Sequence, residues 1–236
     1  MSVSLRCYST SLGCPKNRVD TERLLGSLGV ALVPVESPDE AELVFINTCA
    51  FIQPATEESV RTIAQAIADI EELPKRPLLA VAGCLVGRYH AEDLAPELPE
   101  VDLWLDNSDL EAWPAMLARK LGLPEPTVPG RILSTGPSYA WLKISDGCRH
   151  ACSFCAIPNI RGGHRSHCKD MIVREARALL DQGVKELNLV AQDLTEWGCD
   201  LDGKQDLRTL LDGLLPLPGL ERLRLMYLYP AGMTHE

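Results

Sequence analysis

Long apolar runs are absent from this chain: no stretch approaches the roughly 18 apolar residues that a bilayer-crossing helix needs. A signal-peptide shape is absent as well, because Met1-Ser2-Val3-Ser4-Leu5-Arg6 leads straight into a strand-like segment. A cytoplasmic protein with no membrane partner is expected. Basic charge is in deficit, with 23 Lys and Arg against 33 Asp and Glu and a net charge of −10. The deficit is uneven: residues 1–124 carry −9 and residues 125–236 carry −1. An acidic first half suits a basic protein better than nucleic acid, and it also serves plain solubility. Low-complexity tracts and internal repeats are lacking. What remains is 46% hydrophobic and 24% charged over 236 residues. That is an ordinary globular composition, long enough for two modest domains.

Cysteine is not scarce. The chain has nine, and in a reducing compartment such residues serve metals or catalysis more often than disulfides. An odd number also argues against full pairing. Three fall within Gly147-Cys148-Arg149-His150-Ala151-Cys152-Ser153-Phe154-Cys155-Ala156, spaced C-x3-C-x2-C. Clustered thiolates select zinc or iron–sulfur centres. A structural zinc site wants four ligands, usually from two CxxC-type pairs. This loop supplies three and has no second pair, so one metal corner stays open. An iron–sulfur cluster with one uncommitted iron can bind a ligand there. The histidines His150, His164 and His167 make a mixed Cys/His zinc site the lesser reading.

Along the chain, strand-like and helical segments alternate. Leu5–Thr10 reads as a strand and 18–29 as a helix with Leu24, Leu25 and Leu28 on one face. Short apolar runs at 31–35, 43–47, 78–82 and 103–105 read as strands. A helix opens at Pro54, runs to about Glu72 and turns Val60, Ile63, Ile67 and Ile70 inward. Shorter helices are expected at 88–94 and 110–121. This alternation predicts βαβ units on a parallel sheet. Cys14, Cys49 and Cys84 each stand just past the carboxyl end of one of these strands. Ligands gather at that edge of an open α/β sheet, so these cysteines are expected to converge. The alternative is three unrelated buried cysteines.

Residues 123–138 hold Pro124, Pro126, Pro129, Pro137, Gly130 and Gly136 and read as an interdomain linker. It separates an N-terminal domain, 1–122, from a second domain, 139–236. The second opens with a strand over 139–145 that feeds the Cys148 loop. A helix over 169–182 carries Ile172, Ala176, Leu179 and Leu180 inward, and Gly183 stops it. A strand at 187–190, a helix at 207–214 and a strand at 223–228 follow. Cys7 and Cys199 read as packing residues, and Trp104, Trp113, Trp141 and Trp197 as core or half-buried residues. Arg161 and Arg165 read as either anion clamps or solvated loop charges.

A C-x3-C-x2-C loop after a strand, with an aromatic before the third cysteine, resembles the radical S-adenosylmethionine (SAM) superfamily. The resemblance implies a partial (β/α) barrel in which Cys148, Cys152 and Cys155 hold a catalytic 4Fe–4S cluster whose open iron binds SAM. It implies that Phe154 lies beside the adenine and that Gln192 and Asp193 bind polar groups of SAM. Cleavage of SAM then gives a 5′-deoxyadenosyl radical, and the hard chemistry belongs to the cofactor. The preceding unit, with Ser11-Leu12-Gly13-Cys14-Pro15-Lys16-Asn17, Ile46-Asn47-Thr48-Cys49-Ala50-Phe51-Ile52 and Ala82-Gly83-Cys84-Leu85, looks like that of the methylthiotransferases. That resemblance implies a second 4Fe–4S cluster on Cys14, Cys49 and Cys84, which carries the sulfur to be inserted, and a second SAM that supplies the methyl.

Gly-Cys-Pro-Lys-Asn is similar to the branch that acts on an aspartate of small-subunit ribosomal protein number twelve. The alternatives are a tRNA adenosine methylthiotransferase and a non-catalytic iron–sulfur or zinc-binding module. A reducing partner such as flavodoxin or ferredoxin is implied. His167-Cys168 replaces the Arg-Pro expected after the loop, so Cys168 takes no ligand role. The family continues through further barrel units and a TRAM domain beyond the end of this sequence. The expectation is a truncated chain with an unpaired sheet edge, which binds iron but turns over poorly. Efficient methylthiolation by the purified chain would refute it.

Overall fold

The computed structural model describes residues 4–203 and 205–232. The chain divides into two compact units, Met1–Ile132 and Leu133–Glu236. Among the described residues, no helix is long and apolar enough to cross a membrane.

The first unit is a five-stranded parallel sheet: β1 (Ser4–Ser11), β2 (Ala31–Pro34), β3 (Leu43–Thr48), β4 (Leu78–Gly83) and β5 (Leu103–Asp106). The strand order is β2-β1-β3-β4-β5, the doubly wound order that reverses between β1 and β3. Strand β3, Leu-Val-Phe-Ile-Asn-Thr, is buried throughout, as a central parallel strand covered on both faces must be. The edge strands β2 and β5 have four residues each, which limits the unpaired edge.

Helices α1 (Pro15–Ser27), α2 (Gln53–Ile70), α3 (Cys84–Tyr89), α4 (Ala91–Leu94) and α5 (Trp113–Leu121) surround the sheet. Leu24, Leu25 and Leu28 are buried together with Leu43 and Phe45. Each is worth about 1.5–3 kcal/mol relative to exposure.

Helix α2 corrects the apolar reading. Its buried stripe is Ser59, Ile63, Ala66 and Ile70, while Val60 is exposed and Ile67 half-buried. Apolarity alone selects Val60; the fold selects Ser59, because its hydroxyl bonds the buried Cys49 backbone. The helix expected at 88–94 is two helices broken at His90, whose φ is +60°. The helix expected from Leu110 starts instead at Trp113, with Pro114 in its first turn; a 3-10 turn, Asn107–Asp109, precedes it.

The proline-rich segment is not wholly free. The Gly130 N–H donates to Ser27 Oγ (3.1 Å) and the Ile132 N–H to Glu22 O (3.1 Å). Arg131 pairs with Glu22 at 2.7 Å, both side chains buried. This part of the segment packs on α1, and Leu133 packs on the core of the second unit.

In the second unit β6 (Tyr139–Lys143), β9 (Glu186–Val190) and β10 (Arg222–Leu225) form a parallel sheet in the order β10-β9-β6. A short antiparallel pair, β7 (Ser145–Asp146) and β8 (Arg165–Ser166), lies between β6 and α7 (Lys169–Asp181). Helices α6 (Ile157–Arg161) and α8 (Leu207–Leu214) complete it. Ala140, Leu142, Leu187 and Leu189 alternate onto one face and pack with Ile172, Ala176, Leu179, Leu210 and Leu214. The alternate residues, Trp141, Lys143, Asn188, Arg222 and Arg224, share the other face because strand side chains alternate. Strand–helix–strand units with an apolar outer face and a polar inner one are the repeat of a (β/α) barrel wall.

Candidate iron–sulfur sites

Cys14 sits at the N-cap position of α1, Cys49 follows β3, and Cys84 opens α3 after β4. The carboxyl ends of three adjacent strands therefore deliver them to one edge. All nine cysteines are free thiols. Cys49 and Cys84 are buried and Cys14 is partly exposed.

Asn17 lies at the centre. The Cys14 and Cys84 thiols donate to its side-chain oxygen at 4.0 and 3.8 Å. Its amide donates to Leu12 O (2.9 Å) and Thr48 O (2.8 Å), tying the loop after β1 to the end of β3. Asn47 returns a bond to Asn17 O at 2.9 Å. Gly13 has φ +81°, and a Cβ there would stand 2.6 Å from Cys49 Sγ; only glycine lets the loop approach Cys49 this closely. Ser59 grips Cys49 on both backbone groups, accepting from its N–H (3.0 Å) and donating to its carbonyl (2.7 Å). Asn107 donates to Cys84 Sγ at 3.7 Å while its own side-chain oxygen is buried without a hydrogen-bond partner. Three soft sulfur donors in a buried polar cradle fit an iron–sulfur cluster. Cys7, by contrast, is buried in the core and its thiol is pushed up to about 12 by burial, as befits an inert packing residue.

The second trio lies on one loop. Cys148 and Cys155 are partly exposed and Cys152 is exposed. Phe154 is 88% exposed. The loop hangs from Asp146, a buried carboxylate that meets Lys143 Nζ at 2.9 Å, Arg161 at 3.1 Å and His167 Nε2 at 3.1 Å. Burial alone would raise the Asp146 carboxyl, but Lys143, the His167 hydrogen bond and Arg161 hold it well below the usual carboxylate range. Arg161 is thus neither an exposed clamp nor a solvated charge. Gly147, with φ +66°, lets the chain turn against Gly163, whose carbonyl a Cβ would meet at 2.1 Å.

The far side of the loop reaches the end of β9. His150 Nε2 lies 2.8 Å from Asp193 Oδ2, and the other Asp193 oxygen accepts from the Thr195 N–H (2.9 Å) and hydroxyl (2.6 Å). Asp193 therefore stands beside the cysteine loop, and Gln192 is half-buried at the same strand end. Burial, then the neighbouring Cys155, Asp193 and Cys152 charges, push the Cys148 thiol up, against the His150 N–H that bonds its sulfur. Three thiols on one partly exposed loop fit a cluster with a ligand-accessible corner.

Sequence reasoning missed Asn17, Asn47, Ser59 and Asn107, and it missed the Asp146 hub. Asn17 carried a usable signal, since it follows Cys14 by three residues at the start of a helix. Asn47 and Asp146 likewise lie two residues before Cys49 and Cys148, whereas Ser59 and Asn107 stand 10 and 23 residues from the cysteines they support.

Residues 6–106 match the family described as Uncharacterized protein family UPF0004. The chain is 69% identical over 229 residues to the Ribosomal protein uS12 methylthiotransferase RimO of Nitratidesulfovibrio vulgaris (strain DP4), covering 97% of this chain and 53% of that protein. Likeness to the RimO of Lawsonia intracellularis is 59% over 236 residues, covering 100% of this chain and 54% of the relative. The chain thus spans about half the length of the curated relatives it matches. Among solved structures it resembles the radical S-adenosylmethionine methyltransferase TsrM of Kitasatospora setae, at TM-score 0.53 and 12% identity, over 81% of this chain and 48% of that one. That likeness is one of fold. By its sequence the chain is similar to the RimO-type methylthiotransferases over nearly its whole length.

Proposed function

We propose that this chain carries the two cluster-binding units of a methylthiotransferase that modifies ribosomal protein uS12, at an aspartate β-carbon. The observation that carries the reading is the pairing of two cysteine trios, one at sheet ends and one on a single loop, in a chain 69% identical to a uS12 methylthiotransferase. Cys14, Cys49 and Cys84 would hold one 4Fe–4S cluster, and Cys148, Cys152 and Cys155 the other. When bound, the clusters and SAM supply the radical, sulfur and methyl chemistry.

The chain's own residues supply placement. Asn17, Asn47 and Ser59 fix the loops that present the first trio. Asp146 anchors the base of the second loop and His150 ties its middle to Asp193. Phe154, Gln192 and Asp193 border the opening and are the proposed SAM contacts. Residues 1–122 and 139–236 are the proposed functional domains. Flavodoxin or ferredoxin is the proposed reductant, and the acidic first unit suits a basic protein substrate.

Anaerobic reconstitution should give about eight irons per chain, four at each trio. Mass spectrometry of uS12 and tRNA from a deletion strain then tests the substrate. Loss of the methylthio group from uS12 alone is expected; loss from tRNA alone overturns the assignment.

A further inference from the structure

The loop before β8 and the turn after β9 meet outside both cysteine trios. One ligand atom from each of His164, Cys199 and Asp200 lies within 4.8 Å of the other two. Three hydrogen bonds fix the two segments against each other. Trp197 Nε1 donates to His167 O (3.0 Å), the Gly198 N–H to Ser166 Oγ (2.9 Å), and the Ser166 N–H to Asp200 Oδ2 (2.9 Å). Trp197 is buried in the core of the second unit, so the turn beyond it is held from below. The His164 imidazole is only 4% exposed and lies 3.6 Å from Asp200 Oδ1, while Cys199 stands at the surface. The group is rigid on its inner side and open on its outer side.

We propose that His164, Cys199 and Asp200 form a mononuclear site for a divalent ion of the zinc type, separate from the iron–sulfur cysteines. The donor set decides the class. Zinc accepts thiolate, imidazole and carboxylate together, in tetrahedral geometry. Magnesium and calcium want oxygen donors throughout, and copper(I) and iron–sulfur clusters want more sulfur. Three protein ligands leave the fourth position to water. Ser166 is the outer support: its hydroxyl accepts from the Gly198 N–H beside Cys199 and its own N–H holds Asp200. Such partners orient ligands and tune affinity. Burial pushes the Cys199 thiol up, with the Asp200 and Glu196 charges, against the Arg149 charge, which is itself paired with Glu196. Binding displaces the thiol proton to solvent and needs no change of oxidation state. The bound ion would join the segment leading into α7 to the turn after β9, and so stiffen the flank of the cysteine loop. Sequence reading alone set Cys199 aside; its neighbours in space give it a role. The proposal stands independently of the assigned reaction.

The test uses the whole chain with its iron–sulfur sites loaded first under anaerobic conditions. Cobalt(II) is then titrated in as a spectroscopic substitute for zinc. One cobalt per chain, a thiolate-to-cobalt charge-transfer band and unchanged iron content are expected. Cys199→Ser should abolish the band, and His164→Ala should weaken binding by more than the roughly 10–100-fold of an outer-support change. Ser166→Ala should fall within that 10–100-fold range, and Cys168→Ser should leave binding unchanged. Circular dichroism and iron content show whether each variant has folded. If Cys199→Ser fails to fold, Asp200→Asn and a zinc-dependent rise in melting temperature of the parent chain decide. No cobalt uptake, uptake that expels iron, or a folded Cys199→Ser that binds like the parent would each overturn the proposal.

Discussion

Cys49 and Cys84 are buried at the carboxyl edge of a five-stranded sheet, whereas Cys152 stands exposed on a single loop. The first trio is assembled from positions 35 residues apart, and no local segment could gather them. The second is gathered by its own spacing and needs the fold only to hold the loop's ends. Their supports differ accordingly. Neutral amides and a hydroxyl, from Asn17, Asn47, Asn107 and Ser59, surround the first. Ion pairs around Asp146 and the His150–Asp193 hydrogen bond fix the second. A buried, uncharged cradle suits a resident cluster, and an open loop pinned at its ends suits a cluster that must admit a small molecule.

The contrast can be broken most directly at the cysteines. Under the proposed function, Cys49→Ala and Cys152→Ala each lose about four irons per chain. Cys152→Ala should also abolish reductive cleavage of SAM, whereas Cys49→Ala should retain cleavage and lose sulfur insertion. Iron content and chromatography of 5′-deoxyadenosine distinguish them. Equal loss of cleavage in both would erase the division of labour.

The next effect is on folding. Asp146→Asn leaves Lys143 and Arg161 buried without their carboxylate, which should cost about 3–5 kcal/mol. Denaturant unfolding of the second unit measures it. Asn17→Ala strands the Leu12 and Thr48 carbonyls and should cost about 2–6 kcal/mol at roughly 1–3 for each of the two groups, with the first unit losing stability and the second unchanged.

The smallest expected change is at Asp206, the N-cap of α8, whose carboxylate accepts from the Thr209 N–H at 2.7 Å. Asp206→Ala should cost about 1 kcal/mol. The Thr209 hydroxyl and N–H hold this carboxyl below its usual range. Its contribution is therefore complete above the unfolded value of about 3.9 and is lost as pH falls through the lower folded-state value. The parent and the variant should converge in stability at acid pH; a constant difference down to that range would contradict the cap.

Much was legible without coordinates. The alternation of short apolar runs with helical periods announced parallel β/α structure, because a doubly covered strand must be apolar on both faces. The cysteine loop was legible because its ligands are local. Val60 and Ser59 mark where legibility ended: hydrophobic pattern scores side chains singly, while burial on α2 rewards a hydroxyl with a partner waiting across 10 residues. Arg161 failed for the same reason, since Asp146, 15 residues away, decides whether it faces water.

By itself the sequence determined the alternation of strands and helices, the two cysteine groups and the similarity to RimO-type proteins. Tertiary structure alone decided that Asn17 stands between Cys14 and Cys84, that Asp146 gathers three basic groups, and that His164 faces Cys199 and Asp200. Periodicity and spacing are properties of neighbours along the chain. A polar network is a property of neighbours in space, and it exists only where folding removes water and makes each donor find its acceptor.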